Sequence, residues 1–224
     1  MARRFVLVAV LLAVLAGTAT AAATKAGDPQ KRHNAADQAW AERIHLQRDD
    51  LGAGDWRVEP RDPDNERGMP KACKDPNLSD LIETGSAEEP NFSRNSSFVS
   101  SSAVVYKSAA NMRTSYRRLI RVPLDDCVAW SFKKGAELAG AHVRVSAFRT
   151  LPTAQLAPSG RAARVDLVVS GPAASIRGHI SYYLLARGRA GVILLVASFG
   201  RPATPISASL ESRLAKTVAQ RLKG

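Results

Sequence analysis

Apolar and polar residues change their spacing several times along the chain, and each change marks an element. Over residues 207–222, Leu210, Leu214, Val218 and Leu222 recur every four positions, which predicts an amphipathic helix with one buried stripe. Residues 109–121 behave alike: Met112, Tyr116, Leu119 and Ile120 share one side, and Arg113, Arg117, Arg118 and Arg121 the other. A second helical stretch opens at Pro123, runs through Cys127, Val128 and Ser131, and ends at Gly135 or Gly140. Residues 96–107 read as a strand with Val99, Ala103 and Val105 on one face. Four further strands are predicted at 143–151, 163–170, 178–187 and 191–199, the last two joined through Gly188-Arg189-Ala190-Gly191 as a hairpin. The predicted fold class is α+β: an antiparallel β-sheet with the helices packed on one face, a two-layer sandwich.

The first half of the chain is less regular. Residues 35–48 carry a narrow stripe of Ala36, Trp40 and Ile44, a short helix that stops at Gly52 and Gly54. Asp55-Trp56-Arg57-Val58 reads as extended. The stretch 59–76, dense in Pro, Asp, Asn and Arg, reads as an exposed loop ending near Cys73. Leu78, Leu81 and Ile82 form a small apolar patch beyond it.

At the extreme N-terminus, Arg3 and Arg4 precede the apolar run from Phe5 to Leu15 and then a string of small residues ending at Ala23. A cationic start, a short apolar core and a small-x-small exit are the marks of a secretory signal peptide, with cleavage near Ala22 or Thr24. The apolar run is about half the roughly 20 residues that a membrane-spanning helix needs. No cysteine follows that could carry a bacterial lipid anchor, so the sequence predicts a released protein without a transmembrane anchor. Its parts are a signal peptide at 1–23, a lead-in with a short helix at 24–57 and an α+β domain at 58–224.

Charge then changes the picture. Residues 24–100 hold 11 basic and 15 acidic side chains, whereas 101–224 hold 19 basic and 5 acidic ones, a net +14. Outside the cytoplasm such a field draws in anionic partners: phospholipid headgroups, wall polymers or acidic proteins. Nucleic acid is disfavoured by compartment and by the lack of aromatic residues interleaved with the basic ones. The guanidinium groups of Arg113, Arg117, Arg118 and Arg121 share one helix face, as a speculative ligand-binding set or as a solvated basic surface. Two cysteines, Cys73 and Cys127, permit one disulfide in an oxidising compartment, closing a loop worth about 4 kcal/mol by chain entropy.

Leu78-Ser79-Asp80-Leu81, Thr84-Gly85-Ser86-Ala87, Phe92 and the run from Ser101-Ser102-Ala103-Val104-Val105-Tyr106 to Ala109, followed by a helix and Cys127, together resemble secreted actinobacterial domains related to the extracellular sensor domain of PknH-type kinases. Asp50-Leu51-Gly52-Ala53-Gly54-Asp55-Trp56 is similar to a lead-in common in such exported proteins. The resemblance spans most of residues 50–223. It implies a PsbP-like antiparallel sheet backed by helices, with a groove in which a ligand sits. Two features depart from the pattern: the sensor domain is held by two disulfides and tethered to a membrane helix and a kinase, while this chain has two cysteines and is expected to carry neither attachment.

Motifs for chemistry are sparse. His33, His45, His142 and His179 show no metal-ligand spacing; His33 and His45 are expected at the surface, His142 and His179 at strand starts. No nucleophile elbow, phosphate-binding loop or cofactor motif occurs. Ser131-Phe132-Lys133-Lys134 matches a penicillin-binding pattern by itself, without its companion motifs. Asp125 and Asp126 follow Pro123, where acidic side chains suit a helix N-terminus. Asn91 and Asn95 head formal glycosylation sequons, without meaning in a bacterial protein. The sequence thus predicts a secreted, non-enzymatic cell-envelope domain that binds a ligand or partner between sheet and helices. An exported hydrolase built on Ser, His and acidic side chains, and a purely structural interaction protein, are the other classes open at this point.

Overall fold

The computed structural model describes residues 27–59, 69–88, 91–138, 140–171, 174–200 and 206–224. The signal-peptide pattern and residues 60–68 of the loop lie outside them. The described residues form an α+β architecture in the order β1 (Gln30–Lys31), α1 (Ala35–Ile44), β2 (Arg57–Glu59), β3 (Ile82–Glu88), β4 (Asn91–Arg94), β5 (Ser97–Tyr106), α2 (Ala109–Leu119), α3 (Leu124–Leu138), β6 (His142–Leu151), β7 (Ser159–Gly171), β8 (Ala174–Arg187), β9 (Ala190–Gly200) and α4 (Ala208–Arg221).

The strands run β1-β3-β5-β9-β8-β7-β6 across one sheet, with β4 paired to β5 and β2 to β4. Every pairing is antiparallel except the two-residue parallel contact of β1 with β3. The β8–β9 hairpin turns on Gly188 and Arg189, tighter than the four residues predicted, with Arg187 opposite Ala190. Gly188 takes φ +58° at the first central position, which a two-residue hairpin needs and glycine adopts without strain.

The helices do not gather on one face of the sheet, as a two-layer sandwich requires. On one face α1 and α4 cover Val99, Ala103, Val105, Leu185, Val192, Leu194 and Val196. On the other, Met112 of α2 packs with Tyr106 and Ala186, and Val128 of α3 with Phe98, Ala197 and Phe199. The reason lies in the strands: 181–186 and 192–199 are apolar at nearly every position, so both faces present apolar surface that a helix can cover, Ile193 alone of these staying exposed at 41%.

α4 buries Leu210, Leu214, Val218 and Leu222 as its spacing predicts, starting at Ser207, whose hydroxyl accepts from the Leu210 N–H at 3.1 Å. α1 differs from its prediction. It ends at Ile44, and its inward face is Asp37, Ala41 and Ile44, while Ala36 is exposed. Asp37 turns inward because its carboxylate accepts two bonds from Arg189, each 2.9 Å. The helix lies so close to β3 that a Cβ on Gly85 would come within 2.4 Å of the Asp37 backbone. The lead-in helix is therefore packed into the main core. The Cys73–Cys127 disulfide, with a Cα separation of 5.3 Å, ties the short turn Lys71–Cys73 to the first turn of α3.

Candidate functional site

Along the edge of its core stripe α4 presents the small side chains of Ala208, Ser212, Ala215 and Ala219, the last two buried in the core, flanked by Glu211, Lys216, Gln220 and Lys223. Facing them is the β6–β7 connection, where the Thr153 hydroxyl donates to the Gly160 carbonyl at 3.0 Å and holds Leu156 inward. Because small residues leave the helix wall low, the space between them stays open as a groove of about 770 Å³, floored by Tyr183 and Arg164. That volume is in the range of small-molecule sites.

The groove is polarised. At the end nearer the start of α4, Glu211 is 3% exposed and fully matched. Its carboxylate accepts from the Tyr183 hydroxyl at 2.7 Å and pairs with the Arg164 guanidinium, whose Nε donates to the Ser181 hydroxyl at 3.0 Å. Burial and the Glu211 carboxylate together push the Tyr183 phenol well above its usual range, so it stays a protonated donor. At the far end Arg187 forms no ion pair among the described residues, and its Nε is buried without a hydrogen-bond partner. Lys216 and Lys223 stand exposed along the α4 rim. The net positive charge of this groove is carried by these three side chains.

The structure places Arg113, Arg117, Arg118 and Arg121 elsewhere, on α2 and the turn after it, over the opposite face of the sheet. Arg118 is engaged by Asp80, with Nη2 to Oδ2 at 2.9 Å, and donates to the Asn77 carbonyl at 2.8 Å. Arg113, Arg117 and Arg121 are exposed, and Arg117 donates to the Thr114 hydroxyl at 3.3 Å. No groove residue was singled out from the sequence, because Arg164, Tyr183, Arg187 and Glu211 come from three elements and share no local spacing. The one available signal was the run of small residues beside the leucine stripe of α4.

Two histidines depart from expectation. His45 is 2% exposed instead of lying at the surface; burial lowers its pKa. His179 sits inside β8 rather than at its start, with its Nε2 buried and unpartnered. Burial, and then the neighbouring Arg164 charge, push its pKa down. By register, Asp166, His179 and Ser198 form a cross-strand row, the residue types a hydrolase needs. Ser198, however, is 2% exposed, and its hydroxyl accepts from the Ile206 N–H at 3.3 Å while contacting the Ser97 hydroxyl at 3.2 Å. A nucleophile must meet a substrate carbonyl, and this hydroxyl is covered. His33 pairs with Glu83 at 2.8 Å, and His142 is exposed. The hydroxyl of Ser131 donates to the Cys127 carbonyl one turn back, at 3.0 Å.

Fold and groove together define an α+β domain with helices on both sheet faces and an open, cationic cleft along its last helix. Comparison with protein-family models, with curated proteins and with solved structures found no match. No helix among the described residues is long and apolar enough to cross a membrane.

Proposed function

We propose that this protein is an exported, non-enzymatic binding module of the cell envelope, and that its binding site is the groove between the sheet and α4. The observation that carries this reading is the groove itself: about 770 Å³ held open by small residues on α4, with Arg187, Lys216 and Lys223 lacking acidic partners among the described residues. Such a cleft suits a ligand with an apolar body and a negative charge. The signal-peptide pattern, the Cys73–Cys127 pair and the resemblance to sensor domains support an extracytoplasmic setting.

The test uses an anionic apolar dye, anilinonaphthalene sulfonate, titrated into the purified protein with fluorescence readout. Saturable binding at one site is expected, lost in Ser212→Trp, whose indole fills the groove from an exposed position. It is expected to persist when Arg113, Arg117 and Arg121 are changed to Gln. Binding that survives Ser212→Trp, or that disappears with the α2 arginines, would move the site off the groove.

A further inference from the structure

We infer that the groove takes a single-chain amphiphile whose oxyanion headgroup, carboxylate or phosphate, pairs with Arg187. This rests on the groove reading above and adds the ligand's class and orientation.

The two ends of the groove differ in a way that selects a direction. The Arg164 guanidinium already has Glu211 and Ser181, so that end offers no unmatched charge. Arg187 lies six residues beyond Ser181 on β8, about 20 Å along the strand. The β8–β9 turn that follows it meets the C-terminal end of α4: Arg189 lies over the Trp40 ring at 5.6 Å, and the Trp40 indole donates to the Arg221 carbonyl at 3.2 Å. Arg187 and Lys223 therefore share one end of the cleft, away from the matched pair.

Arg187 is half-buried on the groove wall with no ion pair among the described residues, and an oxyanion would supply its guanidinium with a charge-assisted bond. The planar fork of arginine suits carboxylate and phosphate oxygens alike. From this end the groove runs past Ala219, Ala215 and Leu156 toward Ala208, about 22 Å at the helical rise. Leu151, Leu156, Ala208, Ala215 and Ala219 supply its apolar contacts along that length, which fits one extended hydrocarbon chain.

The experiment displaces the dye with three probes that share one chain and differ in headgroup: palmitate, hexadecyl phosphate and hexadecanol. In the wild-type protein at least one acid is expected to displace it at a concentration about tenfold lower than the alcohol. Arg187→Met should abolish that preference and leave the alcohol's potency unchanged. Preference for palmitate alone assigns a fatty carboxylate, and preference for the phosphate alone assigns a phosphate headgroup. Equal potency of acids and alcohol in the wild type overturns the inference without any variant, as does a preference that survives Arg187→Met. If Ser212→Trp abolishes dye binding while none of the probes competes, the groove reading stands and the chain-ligand inference falls.

Discussion

Replacing Asp37 by Asn tests how the first helix is fastened to the sheet. In the native protein both carboxylate oxygens accept from Arg189, at 2.9 Å each, and Oδ2 also accepts from the Asn34 amide at 3.1 Å. Asn keeps the shape but turns an NH₂ toward one guanidinium nitrogen, removing the charge and one bond. A hydrogen bond to a charged group contributes about 1.5–3 kcal/mol. The Arg189 side chain is 39% exposed against 10% for Asp37, so solvent screening pulls the loss to the lower part of that range, about 2 kcal/mol. For a chain of this size that is about 4–8 °C in melting temperature. Arg189, more than any other group, holds the Asp37 carboxyl far below its ordinary value. A lowered carboxylate stabilises fully above its unfolded value of about 3.9 and loses that contribution as pH falls toward the folded value. The gap between wild type and Asp37→Asn should therefore be complete at pH 7 and shrink below pH 4. Urea unfolding followed by tryptophan fluorescence at pH 7 and pH 3 reads both. Equal midpoints at pH 7, or a gap that stays constant down to pH 3, would refute the reasoning.

Three further outcomes are expected. Gly85→Ala places a methyl within 2.4 Å of the α1 backbone, so the helix must shift, and unfolding midpoints should show a loss of about 1–3 kcal/mol. The double variant Cys73→Ser/Cys127→Ser should lose up to about 4 kcal/mol, and the untreated protein should take up no alkylating label without reductant. His45 is held neutral by burial, so stability should be complete above the ordinary histidine value near 6.5 and decline as pH falls below it; the midpoint drop from pH 7 to pH 5 should be smaller in His45→Gln.

Where spacing was strict, the sequence was legible. The four-residue repeat of α4, the alternation in β5 and the apolar runs of β8 and β9 all carried through to the structure. The number of helix layers was not read, although its evidence was present: 192–199 is apolar on both faces, and a strand with one wet face alternates. β3 escaped because its sequence, IETGSAE, is polar and small. Its place in the sheet comes from pairing with β5 and from α1 packing above it, which are long-range causes. Asp37 was equally hidden, since an acidic residue one position from Ala36 reads as solvent-facing until its partner, 152 residues away, is known. The groove residues share that difficulty. Arg164, Tyr183 and Glu211 converge through strand pairing and helix docking, and no window of sequence contains them.

One side of α4 docks on the sheet while its edge borders the groove. Its leucine stripe, with Leu214 and Val218 fully buried, supplies the apolar contact that docks the helix. Ala215 and Ala219 belong to that same buried core, while Ala208 and Ser212 are exposed at its edge. Had those positions carried Leu, the helix would meet the β6–β7 connection and the groove would fill, with more apolar area buried. The same division holds for charge. Glu211 and Arg164 satisfy each other inside the wall and fix the floor through Tyr183, whereas Arg187 has no ion pair among the described residues. Leu214→Ala should lower stability, because Leu214 is fully buried, whereas Ser212→Ala should leave stability nearly unchanged, because Ser212 is exposed.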